Sequence, residues 1–339
     1  MKMISLFGIL LCLLISVCPV SAQYQQDILG QRYESRTIVM PDDYDGKVVC
    51  TLIRQLNQPS CKQGILYIHG YNDYFFQKAL GDSINTYGSN FYAIDLRKYG
   101  RSILREEHTF FCKSLDEYIA DIDTALAIMR SEGNEKILLM GHSTGGLIAS
   151  YYMKKKKDEA DISGIILNSP FLDWNFGKVM ENIVMPVVSF VGRFFPDITV
   201  QGTGLPSYAH SLLKAFHGEW DFNTSWKKPN SFPKKSGWIH AIHSAQQYVQ
   251  EGGDWKCPTL VLSSDRSYPE TEEWDNNYLS ADIVLDVNDI QHYGKRLGQH
   301  PTCKMIKGGI HDLILSPEKS RTETYQCIKE WLEQLQVKF

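Results

Sequence analysis

The pentad Gly141-His142-Ser143-Thr144-Gly145 sets one serine hydroxyl between two glycines. Such a pattern arises by chance in roughly one chain of this length in ten at ordinary glycine usage. Its surroundings make it specific. It follows the apolar run Ile137-Leu138-Leu139-Met140 and precedes a helical stretch from Leu147 to Met153, the place where a nucleophile elbow sits. A turn that sharp forces Ser143 into a strained backbone conformation. Side chains two positions away would clash, which accounts for glycine at 141 and 145. The turn lifts the hydroxyl to the N-terminus of a helix, whose dipole favours developing negative charge.

A serine nucleophile needs a base, an acid and two oxyanion donors. In a strand–elbow–helix setting the base comes late in the chain. Of ten histidines, His311 fits, because it follows Met305-Ile306 through a Gly308-Gly309 turn and precedes a C-terminal helix. His240 and His243 are spaced i, i+3 on a predicted helix but lack a carboxylate or cysteine at partner spacing for a metal. His142 reads as a structural contact. One oxyanion N–H is expected from Thr144 and the other from Tyr71, in the His69-Gly70-Tyr71 loop after the strand Ile65-Leu66-Tyr67-Ile68. The acid stays open at this level. Asp265 ends the strand Leu260-Val261-Leu262, and Asp282 lies further on, after a polar excursion from Tyr268 to Tyr278. Asp286 and Asp289 read as members of a helix that reaches toward Leu297.

The elements that must hold these groups alternate. Residues 37–40 and 48–56 read as an opening strand pair, and 65–68, 91–94, 137–140, 165–167, 259–262 and 305–306 as later strands. Ser114-Leu115-Asp116-Glu117 is a capping box, followed by an apolar stripe at Leu115, Tyr118, Ile119, Ile122, Leu126 and Met129. Apolar strands separated by helices predict an α/β fold with a mostly parallel sheet. The alternation breaks once, from about Pro170 to Pro233, in a segment rich in aromatics and methionine that reads as an insertion into the sheet domain.

The 339 residues are 43% hydrophobic and 22% charged, ordinary globular usage that excludes a disordered chain. A net charge of −4 offers no basic field for nucleic acid. Residues 1–22 read as a secretory signal peptide: Lys2, an apolar stretch from Ile4 to Val17, and the small-residue exit Val20-Ser21-Ala22. Export with cleavage near Ala22 is expected. Of eight cysteines, Cys12 and Cys18 fall in this leader, which leaves six. Disulfides are then permitted, with Cys50–Cys61 and Cys257–Cys303 as candidate pairs beside a reading as free thiols.

As a set, His69-Gly70-Tyr71, the run from Asp95 to Ser102, the elbow and Gly309-Ile310-His311-Asp312 make the chain resemble the monoglyceride lipase, lysophospholipase and serine aminopeptidase-like branch of the α/β-hydrolases. Lys98 stands where relatives carry glycine. The resemblance implies an acid in an Ala-Asp-x-x-x-Asp segment, which Ala281 to Asp286 matches, and so implies Asp282. It implies an α/β-hydrolase core over 23–169 and 236–339, with 170–235 as a substrate-covering cap. The expected activity is cleavage of carboxylic esters, such as monoacylglycerols or lysophospholipids, through an acyl-enzyme and without metal or organic cofactor. The expected partners are an acyl ester or lipid and, transiently, a membrane surface met through the cap. A peptidase, favoured by a cap cluster of acids such as Glu181 and Glu219, and a non-catalytic binding protein are the rival readings.

Overall fold

The computed structural model describes residues 23–105, 109–157, 161–201 and 204–337. The predicted leader, residues 1–22, lies outside them.

Nine strands form one sheet. They are β1 (Gln25–Gln26), β2 (Glu34–Val39), β3 (Val49–Gln55), β4 (Gln63–Ile68), β5 (Asn90–Asp95), β6 (Lys136–His142), β7 (Gly164–Asn168), β10 (Thr259–Ser264) and β11 (Pro301–Ile306). The spatial order is β1-β2-β3-β5-β4-β6-β7-β10-β11. The first three pairings are antiparallel and all those from β5 to β11 parallel. Successive side chains of a strand point to opposite faces. In β4, Leu66 and Ile68 enter one core while Ile65 and Tyr67 enter the other, and all four are fully buried. Both faces are covered, so the central strands are apolar without alternation.

On the Leu66 face pack α2 (Asp116–Ser131), α3 (Thr144–Lys155) and α6 (Ser236–Gln250); on the Tyr67 face pack α1 (Lys78–Thr86) and α8 (Glu318–Val337). The capping box forms with one shift, since the serine oxygen takes the N–H two residues on and not three. Ser114 Oγ accepts from the Asp116 N–H at 3.2 Å, and the Glu117 carboxylate accepts from the Ser114 N–H at 3.3 Å. A cap of this kind contributes about 1 kcal/mol.

The segment leaving β7 is not featureless. A π-helical turn, Met180–Val184, runs into α4 (Met185–Phe194), which packs on α6. Then come β8 (Thr199–Gln201) and α5 (Ser207–Leu212), and β9 (Lys234–Lys235) pairs with β8 just before α6. Outward from α4 the chain shows Val179, Ile183, Val187, Phe190 and Phe194, each more than half exposed and spaced four, four, three and four residues apart. That spacing is one helical face. The sequence after Asp282 closes with α7 (Val287–Gly294), whose N-cap is Asp286. No helix of the described residues is long and apolar enough to cross a membrane.

The six described cysteines are free thiols. The register explains why neither candidate pair closes. Thr259 lies opposite Pro301 and Val261 opposite Cys303, so Cys257 and Cys303 are offset by four residues, about 13 Å along the strands. Cys50 sits at the sheet end where β5 finishes, and Cys61 at the end where β4 starts. Disulfide geometry needs Cα atoms within about 7 Å.

Candidate functional site

Ser143 sits between β6 and α3 at φ 52° and ψ −120°, a region that costs a non-glycine residue of order 1–3 kcal/mol. The flanking glycines follow from contact. A Cβ on Gly141 would lie 2.4 Å from the Gly145 carbonyl oxygen, and one on Gly145 would lie 2.2 Å from that of Ile68. The elbow is therefore pressed directly onto the end of β4. The next loop is equally close, since a Cβ on Gly70 would stand 3.1 Å from the Ser143 Cβ.

His311, in the loop between β11 and α8, reaches back to this point. Its Nε2 is 2.9 Å from Ser143 Oγ and its Nδ1 is 2.9 Å from Asp282 Oδ2. All three residues are buried, Asp282 completely. The other carboxylate oxygen accepts from the backbone N–H groups of Val284 and Leu285, both at 2.8 Å. An ionised Asp282 then requires Nδ1–H to donate, which leaves Nε2 as an acceptor facing the serine hydroxyl. The structure thus joins Ser143, His311 and Asp282 in one hydrogen-bonded chain. Asp265 is exposed and instead accepts from the Gly308 N–H at 2.9 Å.

The backbone N–H of Tyr71 follows Gly70, which lies against Ser143, and that of Thr144 follows Ser143 itself at the start of α3. Among the described residues, neither donates to a backbone carbonyl. Tyr71 is wedged by its ring, 4.4 Å from that of Trp238 and 5.3 Å from that of Phe110. His69 is tied up: its Nε2 accepts from the Leu96 N–H, and its Nδ1 donates to the Gly70 carbonyl. His142 donates Nδ1–H to the Asn168 carbonyl at 3.2 Å, and burial lowers its pKa. It is a neutral wall 4.9 Å from the His311 ring. His240 Nδ1 lies 3.1 Å from Ser189 Oγ. Among the described residues, no group of three or more His, Cys, Asp or Glu side chains could hold a metal ion.

Three features beside the site had no distinct signal in the sequence. Asn168, at the end of β7, donates to Asp312 at 2.7 Å, directly after His311. Asp73 and Lys227 form a buried ion pair at 3.0 Å between the loop after β4 and the segment before α6. Tyr208 of α5 sets its ring 5.5 Å from that of His311, and burial raises its phenol pKa far above the usual range. Lys227 stands next to Lys228 in the sequence, and the tertiary fold buries it.

The family model described as "Serine aminopeptidase, S33" matches residues 59–267. This chain belongs to that hydrolase family. The resemblance read from the motifs is borne out, and so is the α/β-hydrolase fold. Among solved structures, a soluble variant of monoglyceride lipase from Saccharomyces cerevisiae, in complex with a substrate analogue, is similar over 93% of this chain and 98% of its own, with TM-score 0.62 and 17% identity. Paleococcus ferrophilus monoacylglycerol lipase is similar over 90% and 100%, with TM-score 0.61 and 18% identity. Est1E from Butyrivibrio proteoclasticus, with ferulic acid bound, is similar over 88% and 99%, with TM-score 0.56 and 14% identity. At such identities the likeness is one of fold. No curated protein matches the sequence.

Proposed function

We propose that this S33 family member is an exported serine hydrolase that cleaves carboxylic esters through an acyl-enzyme, with monoacylglycerol- or lysophospholipid-like substrates. The carrying observation is the 2.9 Å contact of His311 Nε2 with a hydroxyl held at positive φ on the elbow. Ser143 Oγ attacks the acyl carbonyl while His311 Nε2 takes its proton, and Asp282 holds the resulting imidazolium. The Tyr71 and Thr144 N–H groups receive the oxyanion, aided by the N-terminal dipole of α3. His311 returns the proton to the departing alcohol. A water molecule then gives a proton to His311 and its hydroxyl to the acyl carbon; the acyl–Oγ bond breaks, His311 returns that proton to Ser143 Oγ, and the carboxylic acid leaves.

Residues 170–235 act in this reading as the cap over the acyl site. The bare apolar face of Val179, Ile183, Val187, Phe190 and Phe194 supports a lipid-facing role, since a soluble surface rarely leaves so large a patch uncovered. The peptidase reading asks for cap carboxylates free to bind an amine. Glu219 is instead paired with Arg321 at 3.0 Å, and Glu181 accepts from the Phe176 N–H. Export predicts that the mature protein starts at Gln23, which N-terminal sequencing of secreted material reads directly. The decisive test pairs wild type with Ser143→Ala. A fluorophosphonate should label the first and not the second. Turnover of p-nitrophenyl esters of rising chain length should exceed that of amino-acid amides. Equal labelling of both proteins, or a preference for amides, overturns the reading.

A further inference from the structure

Tyr71 is followed by three residues that all bond to one stretch of the segment preceding α6. Asn72 gives both ends of its amide to a single residue: Nδ2 donates to the Lys228 carbonyl at 2.8 Å, and Oδ1 accepts from the Lys228 N–H at 2.9 Å, across 156 residues of chain. Asp73 accepts from Lys227 Nζ at 3.0 Å. Tyr74 Oη accepts from the Asn223 N–H at 2.8 Å. The backbone of Asn72 stands at φ 49°, a conformation asparagine tolerates better than most side chains. The peptide plane that carries the Tyr71 N–H lies one residue before this fixed, left-handed link. It is held on the other side by the Tyr71 ring against Trp238. The hydrogen bonds run from the loop to segment 223–228. What they fix is the direction in which the chain leaves Tyr71.

We infer that Asn72 is a positioning residue: by clamping the backbone of Lys228 it makes the oxyanion-binding geometry of the Tyr71 N–H depend on the docking of segment 223–228. The inference rests on the reading of Tyr71 as an oxyanion donor. A donor acts only when it stands about 3 Å from the oxygen as it becomes charged, and losing one such donor costs roughly a hundredfold or more in turnover. A loop freed from its clamp keeps the donor and loses its aim, so a smaller loss follows, about tenfold.

Three variants separate this from a merely structural tie. Asn72→Gly keeps access to positive φ and removes both amide bonds. Asn72→Asp keeps the left-handed preference and the acceptor for the Lys228 N–H, and loses the donor. The third is Asn72→Ala, which loses the clamp and the preference together. With a p-nitrophenyl ester, Asn72→Gly should lower kcat about tenfold with KM within about twofold, and Asn72→Asp should recover part of the loss. Affinity for an alkyl trifluoromethyl ketone, whose hemiketal oxyanion occupies the same place, should fall in parallel with kcat, with Asn72→Ala weakest. Circular dichroism and the melting curve report the folded fraction. If Asn72→Gly keeps wild-type kcat and ketone affinity, the inference is overturned; the same holds if its loss only tracks a lower folded fraction. Should Asn72→Gly fail to fold, Asn72→Asp decides alone, and unchanged kcat and ketone affinity overturn the inference. Wild-type turnover beside an inert Ser143→Ala keeps the broader reading intact in every one of these cases.

Discussion

Asp265 and Gly308 are joined by a hydrogen bond of 2.9 Å from the Gly308 N–H to Asp265 Oδ1, which ties the end of β10 to the turn that delivers His311. Gly308 takes φ 65° in that turn. Asp265 therefore touches the site through the backbone, whereas Asp282 touches the imidazole itself. The two carboxylates should respond very differently to amidation. Asp282→Asn places an N–H donor or a neutral oxygen against His311 Nδ1 and favours the wrong tautomer, an effect worth about 10⁴ in kcat in a comparable triad. Asp265→Asn keeps an acceptor for Gly308 and should cost less than about fivefold. Steady-state turnover of a soluble ester measures both, and a loss confined to Asp265→Asn would assign the acid to the wrong residue.

Lys98 stands at φ 66° and holds its ammonium 2.9 Å from Asp43 and 2.5 Å from Asp45, with the cation largely buried. Two effects of Lys98→Gly oppose each other. Glycine relieves a left-handed backbone, worth about 1 kcal/mol. Removing the ammonium leaves two poorly solvated carboxylates beside each other, and breaking a buried ion pair costs about 3 kcal/mol or more. The second wins, so Lys98→Gly should lower the urea midpoint. An Asp43→Asn, Asp45→Asn background should reverse the sign, because the backbone gain is then joined by removal of a buried ammonium that has lost its anions.

What could be read in advance was local or periodic. The buried strands appear as apolar runs because both faces of the sheet are covered, and the capping box before α2 is visible because its partners lie three residues apart. Ser143 and His311 were legible for the same reason, each fixed by a turn next to a strand. Asp282 was not legible from spacing alone. The chain leaves β10, wanders from Tyr268 to Tyr278, and returns through a single bridge of Ser267 to Asp282, which strand arithmetic does not detect. Strand β8, three residues long, carries no pattern of its own. The Asp73–Lys227 pair spans 154 residues, and its burial is a property of the assembled fold. The cysteine pairings failed on register, which depends on which strands become neighbours and at what offset.

The apolar face of α4 offers a direct test of the lipid-surface reading. Phe190 and Phe194 pack edge to face at 5.4 Å and are both mostly exposed. Replacing both with serine removes contact area without touching the α4–α6 packing. Co-sedimentation with neutral phosphatidylcholine vesicles should fall at least about tenfold, since two large side chains contribute several kcal/mol at a lipid boundary. Turnover of a short soluble ester should stay within about twofold of wild type. Unchanged sedimentation would remove this face from the lipid-contact reading.

The pH dependence of stability contains one component with a clear sign. Burial, then the charges of Asp286, Asp173 and Glu181, push the Asp289 carboxyl up to about 6. In the unfolded chain it titrates near the ordinary value of 3.8. Between those two values the folded state holds a proton that the unfolded state has released, so folding is favoured at low pH and this component is lost as pH rises through about 6. Above that range the ionised carboxylate sits against three like charges and opposes folding. Solvent screening reduces the size of the effect, because the group is only half-buried. Asp289→Asn removes the charge and keeps the shape. It should raise Tm at pH 8, by less at pH 6, and leave it unchanged near pH 4. Melting curves across that range decide the matter, and a gain that grows as pH falls would show that the carboxylate is stabilised in its charged form.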